Sequence, residues 1–90
     1  MRFEWDQEKA ERNLKKHGVS FDEAATVFGD ELARIFDDEL HSFEEKRHVI
    51  FGHSSLNNLL IVCFTEREGD KIRIISARQA TPKESRRYAN

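Results

Sequence analysis

The stretch "LLIVCFTEREGDKIRIISAR", Leu59 to Arg78, decides the fold. Both arms are rich in β-branched and aromatic side chains, as strands are, and Gly69-Asp70 lies between them. A two-residue loop with glycine first suits a type II′ hairpin turn. Counting outward from that turn sets Glu66 against Arg73, Thr65 against Ile74, Phe64 against Ile75, Cys63 against Ser76, Val62 against Ala77 and Ile61 against Arg78. Strand alternation then assigns Leu60, Val62, Phe64, Ile75 and Ala77 to a core face, with a Glu66–Arg73 pair at its rim. The other face mixes Arg67, Thr65, Ile74, Cys63, Ser76 and Arg78. It is only half apolar, and a wet, charged face on a central hairpin asks for a ligand. Arg67 and Arg78 stand at its opposite ends, roughly 20 Å apart at ~3.3 Å per residue, so they address different points of one strand.

On the N-terminal side, "RFEW" reads as a short extended lead-in. Asp6 caps a helix over about 7–17, and Gly18 suits the left-handed position that ends it. Ser20 and Glu23 form a capping box, with Val19 stapled against Ala24. The second helix runs over about 21–28, buries Phe21, Ala24, Ala25, Val27 and Phe28, and stops at Gly29. "ELARIF" and "RHVIFGH" read as strands on either side of an acidic loop. After the hairpin, Thr81, Pro82 and Glu84 supply an N-cap, a first-turn proline and a capping-box acid for a third helix from about 82. The fold class is α+β: two N-terminal helices, an antiparallel sheet of about three to four strands and a C-terminal helix, in one domain over 1–90.

Charge is unevenly spread. Residues 1–20 carry a net +1, residues 21–46 a net −7, and residues 47–90 a net +4. Such asymmetry speaks to partners rather than to fold. The one cysteine, Cys63, sits in the apolar run "LLIVCF" as a small buried hydrophobe, and suggests a reducing, cytoplasmic setting. The polar opening "MRFEWDQEKAER" is no signal peptide, and no apolar run reaches the ~20 residues of a membrane span. His41, His48 and His53 lack ligand spacing, so no metal and no cofactor is expected. Around Arg78, the third helix turns back Lys83, Arg86 and Arg87. Together they make a cationic ledge edged by Tyr88, with arginine forks for phosphate and a ring for a base. The alternative use of those cations is simply to solvate a terminal helix.

"FEWDQEKAERNLKKHGVSFDEAATVF" near the start and "TEREGDKIRIISARQATPKESRRY" at the end resemble the BrnT family of bacterial type II toxins. The specific parts are Trp5-Asp6, Lys16-His17-Gly18, and Arg73 to Arg78 leading to Arg87-Tyr88. The resemblance implies a RelE-like fold and a ribonuclease that arrests translation by cutting RNA. It also implies a BrnA-type antitoxin in a hetero-oligomer, which touches operator DNA through the antitoxin; the lack of a long apolar run leaves no membrane partner expected.

Metal-free RNA cleavage must deprotonate the ribose 2′-hydroxyl, stabilise charge on phosphorus and protonate the leaving 5′-oxygen. Arg67, Arg73 and Arg78 are the candidate charge stabilisers. Histidine carries protons near neutrality, which makes His17 a candidate proton carrier, with Glu66 as a base if Arg73 holds it. Lys16, Lys83, Arg87 and Tyr88 are the candidate RNA-binding residues. Asp6, Trp5 and Asn13 are structural: a cap, an anchor for the first helix and a link to the strands. Two other readings keep the fold without the chemistry. One is a RelE/ParE-like toxin that inhibits a protein target; the other is a noncatalytic nucleic-acid-binding module. An antitoxin segment is expected to lie over Arg73, Arg78, Arg87 and Tyr88.

Overall fold

Asp6 and Ser20 start the two N-terminal helices of the computed structural model, which describes residues 1–89. Helix α1 spans Gln7–His17; the Asp6 carboxylate accepts from the backbone N–H of Glu8 at 2.9 Å and of Lys9 at 3.2 Å. Gly18, at φ 70°, takes the left-handed position that closes it. Helix α2 spans Phe21–Thr26, and the Ser20 hydroxyl accepts the Glu23 N–H at 3.0 Å. The last turn expected of that helix tightens into a 3₁₀ turn over Val27–Gly29.

Among the described residues the sheet has five strands, not three or four: β1 (Arg2–Glu4), β2 (Arg34–Asp37), β3 (His48–His53), β4 (Leu59–Arg67) and β5 (Lys71–Gln79). Their order is β1-β5-β4-β3-β2. The uncounted strand is the extended lead-in, which pairs parallel to β5 with Phe3 opposite Ile72. Three residues carry no usable alternation, and their partner lies some seventy positions away. Nothing local could announce the pairing.

The hairpin register also differs from the count. Lys71 pairs with Arg67, leaving Glu68, Gly69 and Asp70 in the turn, with Gly69 at φ 78° and Asp70 at φ 60°. A bulge between Cys63 and Phe64 then absorbs one residue, so Cys63–Ser76, Val62–Ala77 and Ile61–Arg78 pair as expected. Between bulge and turn every partner moves by one. Ile74 therefore joins the core, Ile75 is the unpaired residue, and Glu66 faces Ile72 rather than Arg73.

One face of this sheet is dry. Val19, Phe21, Ala24 and Val27 from the helical layer bury against Ile50, Leu60, Val62, Phe64, Ile72, Ile74 and Ala77. Trp5, expected to anchor the first helix on the sheet, packs edge-on against Phe21 of α2. Asn13 ties α1 to β5: its amide nitrogen donates to the carbonyls of Val19 (3.0 Å) and Ala77 (2.7 Å), and its oxygen accepts the Ala77 N–H at 3.1 Å. Helix α3 (Pro82–Ala89) lies against the opposite face. Thr81 and Glu84 cap it reciprocally, at 2.9 and 3.2 Å, and it buries no residue of its own.

Candidate functional site

The open face of the sheet is built by alternation. Residues 34 and 36 of β2, 49 and 51 of β3, 61 of β4 and 78 of β5 all point away from the helices α1 and α2. They form an open groove of about 570 Å³ lined by Arg34, Phe36, Val49, Phe51, Ile61 and Arg78, with Glu84, Arg87 and Tyr88 of α3 along one side. Apolar side chains floor it and arginines rim it.

Arg78 is not a free cation. Its two terminal nitrogens fork onto the Glu84 carboxylate at 2.8 and 2.9 Å. Arg78, aided by the Thr81 N–H, drives the Glu84 carboxyl down to about 2, and Glu84 in turn raises the Arg78 pKa. The fork fixes the guanidinium plane and leaves further N–H donors for another acceptor. Arg34 and Arg87 form no ion pair among the described residues.

Tyr88 holds the far end of α3. Its hydroxyl donates to the Leu32 carbonyl at 3.1 Å, and its ring meets Phe51 and His53 edge-on at 4.9 and 5.5 Å. The Arg34 guanidinium lies 5.6 Å from the ring centre. Burial, then the nearby Asp30 carboxylate, raises the Tyr88 pKa. Asp30 accepts the backbone N–H groups of His53 (2.8 Å) and Leu32 (2.9 Å), which hold its carboxyl below the usual range. Its carboxylate also lies 3.8 Å from the His53 ring. Tyr88 is thus a post that fixes α3, and Arg34 already occupies its surroundings.

The structure brings together Arg78, Arg87 and Tyr88 from the expected set. It does not bring the others to them. Lys16 and His17 end α1, in the helical layer on the other side of the sheet. Arg67 sits at the far end of β4 and pairs with Glu45 at 3.0 Å. Arg73 pairs with Glu4 at 2.9 Å, so it cannot hold Glu66, which is exposed with its carboxylate 3.8 Å from His48. Lys83 is exposed on α3, outside the groove lining. The expected Glu66–Arg73 pairing is displaced for two reasons: the parallel strand β1 delivers Glu4 opposite Arg73, and the shifted register sets Glu66 opposite Ile72.

Arg34, Phe51, His53 and Asp30 are members of this region that the sequence reading passed over. Alternation in "ELARIF" and "RHVIFGH" does place Arg34 with Phe36, and Phe51 with His53. Their position beside α3 depends on strand order, which no local pattern carries. At the other end of the face, the 38–47 loop folds over the sheet, and the Thr65 hydroxyl donates to the Lys46 carbonyl at 2.9 Å. Cys63 is half-buried there, and burial, then Asp38, raises its thiol pKa. Among the described residues, no three His, Cys, Asp or Glu side chains converge to hold a metal ion.

A family model described as "Ribonuclease toxin, BrnT, of type II toxin-antitoxin system" matches residues 5–84. The chain belongs to the BrnT family. The match begins at Trp5 and ends at Glu84, taking in α1, α2, four strands and the Arg78–Glu84 fork. Among solved structures, the crystal structure of the Brucella abortus ribonuclease toxin BrnT is similar, with a TM-score of 0.69 and 23% identity. That likeness covers 90% of this chain and 97% of the Brucella chain, and it supports the BrnT fold. No curated protein sequence matches the chain. No helix is long and apolar enough to cross a membrane among the described residues.

Proposed function

We propose that this BrnT-family chain acts as one toxin domain over residues 1–90: a metal-independent endoribonuclease with a RelE-like active face. In this reading it cuts cytoplasmic RNA to arrest translation, and a BrnA-type antitoxin neutralises it. The antitoxin carries the operator-DNA contacts of the complex. The observation that carries the reading is the convergence of Arg34, Arg78 and Arg87 on one apolar-floored groove. Three cations around a trough suit a phosphodiester whose bases lie along the apolar floor.

The chemistry follows from those groups. The ribose 2′-oxygen attacks the adjacent phosphorus, the bond to the 5′-oxygen breaks, and a 2′,3′-cyclic phosphate and a 5′-hydroxyl result. Arg78, held flat by Glu84, offers its remaining donors to the phosphorane oxygens, with Arg87 and Arg34 beside it. Permanently charged guanidinium groups do not carry protons at neutral pH. Proton transfer falls to His53, whose ring stands 5.5 Å from Tyr88 at the Arg34 end of this region.

End-labelled single-stranded RNA incubated with the purified protein in EDTA tests this. The expected products are fragments bearing 2′,3′-cyclic phosphate. Cleavage that EDTA abolishes and Mg²⁺ restores would contradict the metal-free mechanism.

A further inference from the structure

Strand β2, Arg34–Asp37, is a short edge strand whose two central residues are apolar and exposed. In the sheet order it has β3 on one side and, among the described residues, no strand on the other. Its two central residues are Ile35, paired with Ile50, and Phe36, paired with Val49, so they point to opposite faces. Both are more than half exposed, at 58% and 53%. Leu32 and Leu40 flank the strand at 79% and 81% exposure. Arg34 and Asp37 blunt the two ends of this short edge, while its centre exposes an apolar side chain on each face beside open backbone groups.

We propose that the free edge of β2 is a docking site for an extended, basic segment of a protein partner, which adds as a sixth strand. The existence of such a partner rests on the toxin–antitoxin reading; the surface and its chemistry do not. Charge selects the occupant. Of the five carboxylates between residues 30 and 40, Asp30 accepts backbone N–H groups of Leu32 and His53, Asp37 pairs with Lys46 and His48, and Asp38 pairs with His41; Glu31 and Glu39, one on each side of the strand, take no ion-pair partner among the described residues. A second copy pairing edge to edge would set these carboxylates against each other, and an RNA backbone would be repelled. A strand alternating cations with apolar side chains would satisfy the open backbone edge, cover Ile35 and Phe36, and meet the carboxylates at its ends. This site lies beside the arginine-rimmed groove and has the opposite sign. An antitoxin anchored here would reach the groove from its β2 side, rather than first covering Arg73, Arg78 and Arg87.

The probe is a ten-residue peptide of alternating arginine and valine, with a glutamate–valine peptide as its counterpart. The arginine peptide should bind the full chain, slow amide hydrogen exchange across Arg34–Asp37, and bind more tightly at low salt. The glutamate peptide should not bind. Ile35→Asp, and separately Glu31→Lys with Glu39→Lys, should each weaken binding about tenfold or more while RNA cleavage is unchanged. The proposal is overturned by any of three results: no binding of the arginine peptide, protection confined to the groove, or a homodimer held through β2. If the peptide fails and the protein still cuts RNA, docking falls and the ribonuclease reading stands.

Discussion

The two faces of this sheet share the same backbone, and neighbouring residues on β4 serve opposite ends. Leu60 and Val62 are fully buried under α1 and α2, while Ile61 between them looks into an open groove. The covered face is apolar at its centre, with polar residues such as His48 and Glu66 at its margin. The open one keeps apolar residues at its floor and arginines at its margins, under a helix, α3, that buries nothing of its own. Apolar surface left uncovered forgoes roughly 25 cal/mol per Å² that burial would contribute. A face that could have been closed by another helix is instead left accessible, and the arginines say to what kind of molecule.

The contrast breaks first under truncation of neighbours. Leu60→Ala should cost about 2–5 kcal/mol, because it removes a fully buried side chain and leaves a cavity. Ile61→Ala, one residue along on the open face, should cost well under half as much. Urea unfolding of both variants checks this, and equal losses would mean that the open face is part of the core.

Arg78→Ala carries the opposite signature. Cleavage should fall about 100-fold or more, as for loss of a charge-stabilising donor, while the urea midpoint moves little. Glu84→Gln sharpens the point. It keeps the shape and releases Arg78 from its fork, so it should retain more activity than Arg78→Ala. Activity of Arg78→Ala close to that of the parent would remove this groove from the chemistry.

Asn13→Ala tests how the covered face is tied to its helix. The Ala77 N–H and the Val19 and Ala77 carbonyls each lose a partner, at about 1–3 kcal/mol for each buried group left unsatisfied. The loss should appear in the melting temperature and leave catalysis per folded molecule unchanged.

The smallest effect is confined to α3. The folded-state pKa of Glu84, about 2, is below its ordinary 4.5, so its pairing with Arg78 contributes stability above pH 4.5. That contribution is lost as pH falls through about 2; Arg78 stays protonated throughout. Protection of the amides of residues 83–89, taken relative to the intrinsic exchange rate at each pH, should therefore fall between pH 4.5 and 2, and Glu84→Gln should flatten the dependence. A dependence that survives in Glu84→Gln would place its source elsewhere.

Local chemistry was legible in the sequence, and long-range pairing was not. Asp6, Ser20 and Thr81 announce their helices because each cap is satisfied within three residues. The deeper hairpin register survived the count because the bulge at Cys63/Phe64 cancels the longer turn. The shallower register did not, and it moved Ile74, Ile75 and Glu66. For the site, Arg78 and Glu84 are six residues apart, and both stood out. Arg34 and His53 reach the same end of the molecule only through β2–β3 pairing and the docking of α3. His17 drew attention through its neighbours Lys16 and Gly18, a helix-end signature that carries no statement about which side of a sheet the helix takes.

The central claim is that RNA lies on the open face. Titration with a 2′-O-methyl single-stranded oligonucleotide, which the protein can bind without cutting, maps it residue by residue in NMR spectra. The account predicts shifts concentrated at Arg34, Phe51, Ile61, Arg78, Arg87 and Tyr88, weakening as salt rises. Shifts concentrated at Lys16 and His17, with the groove unmoved, would contradict it.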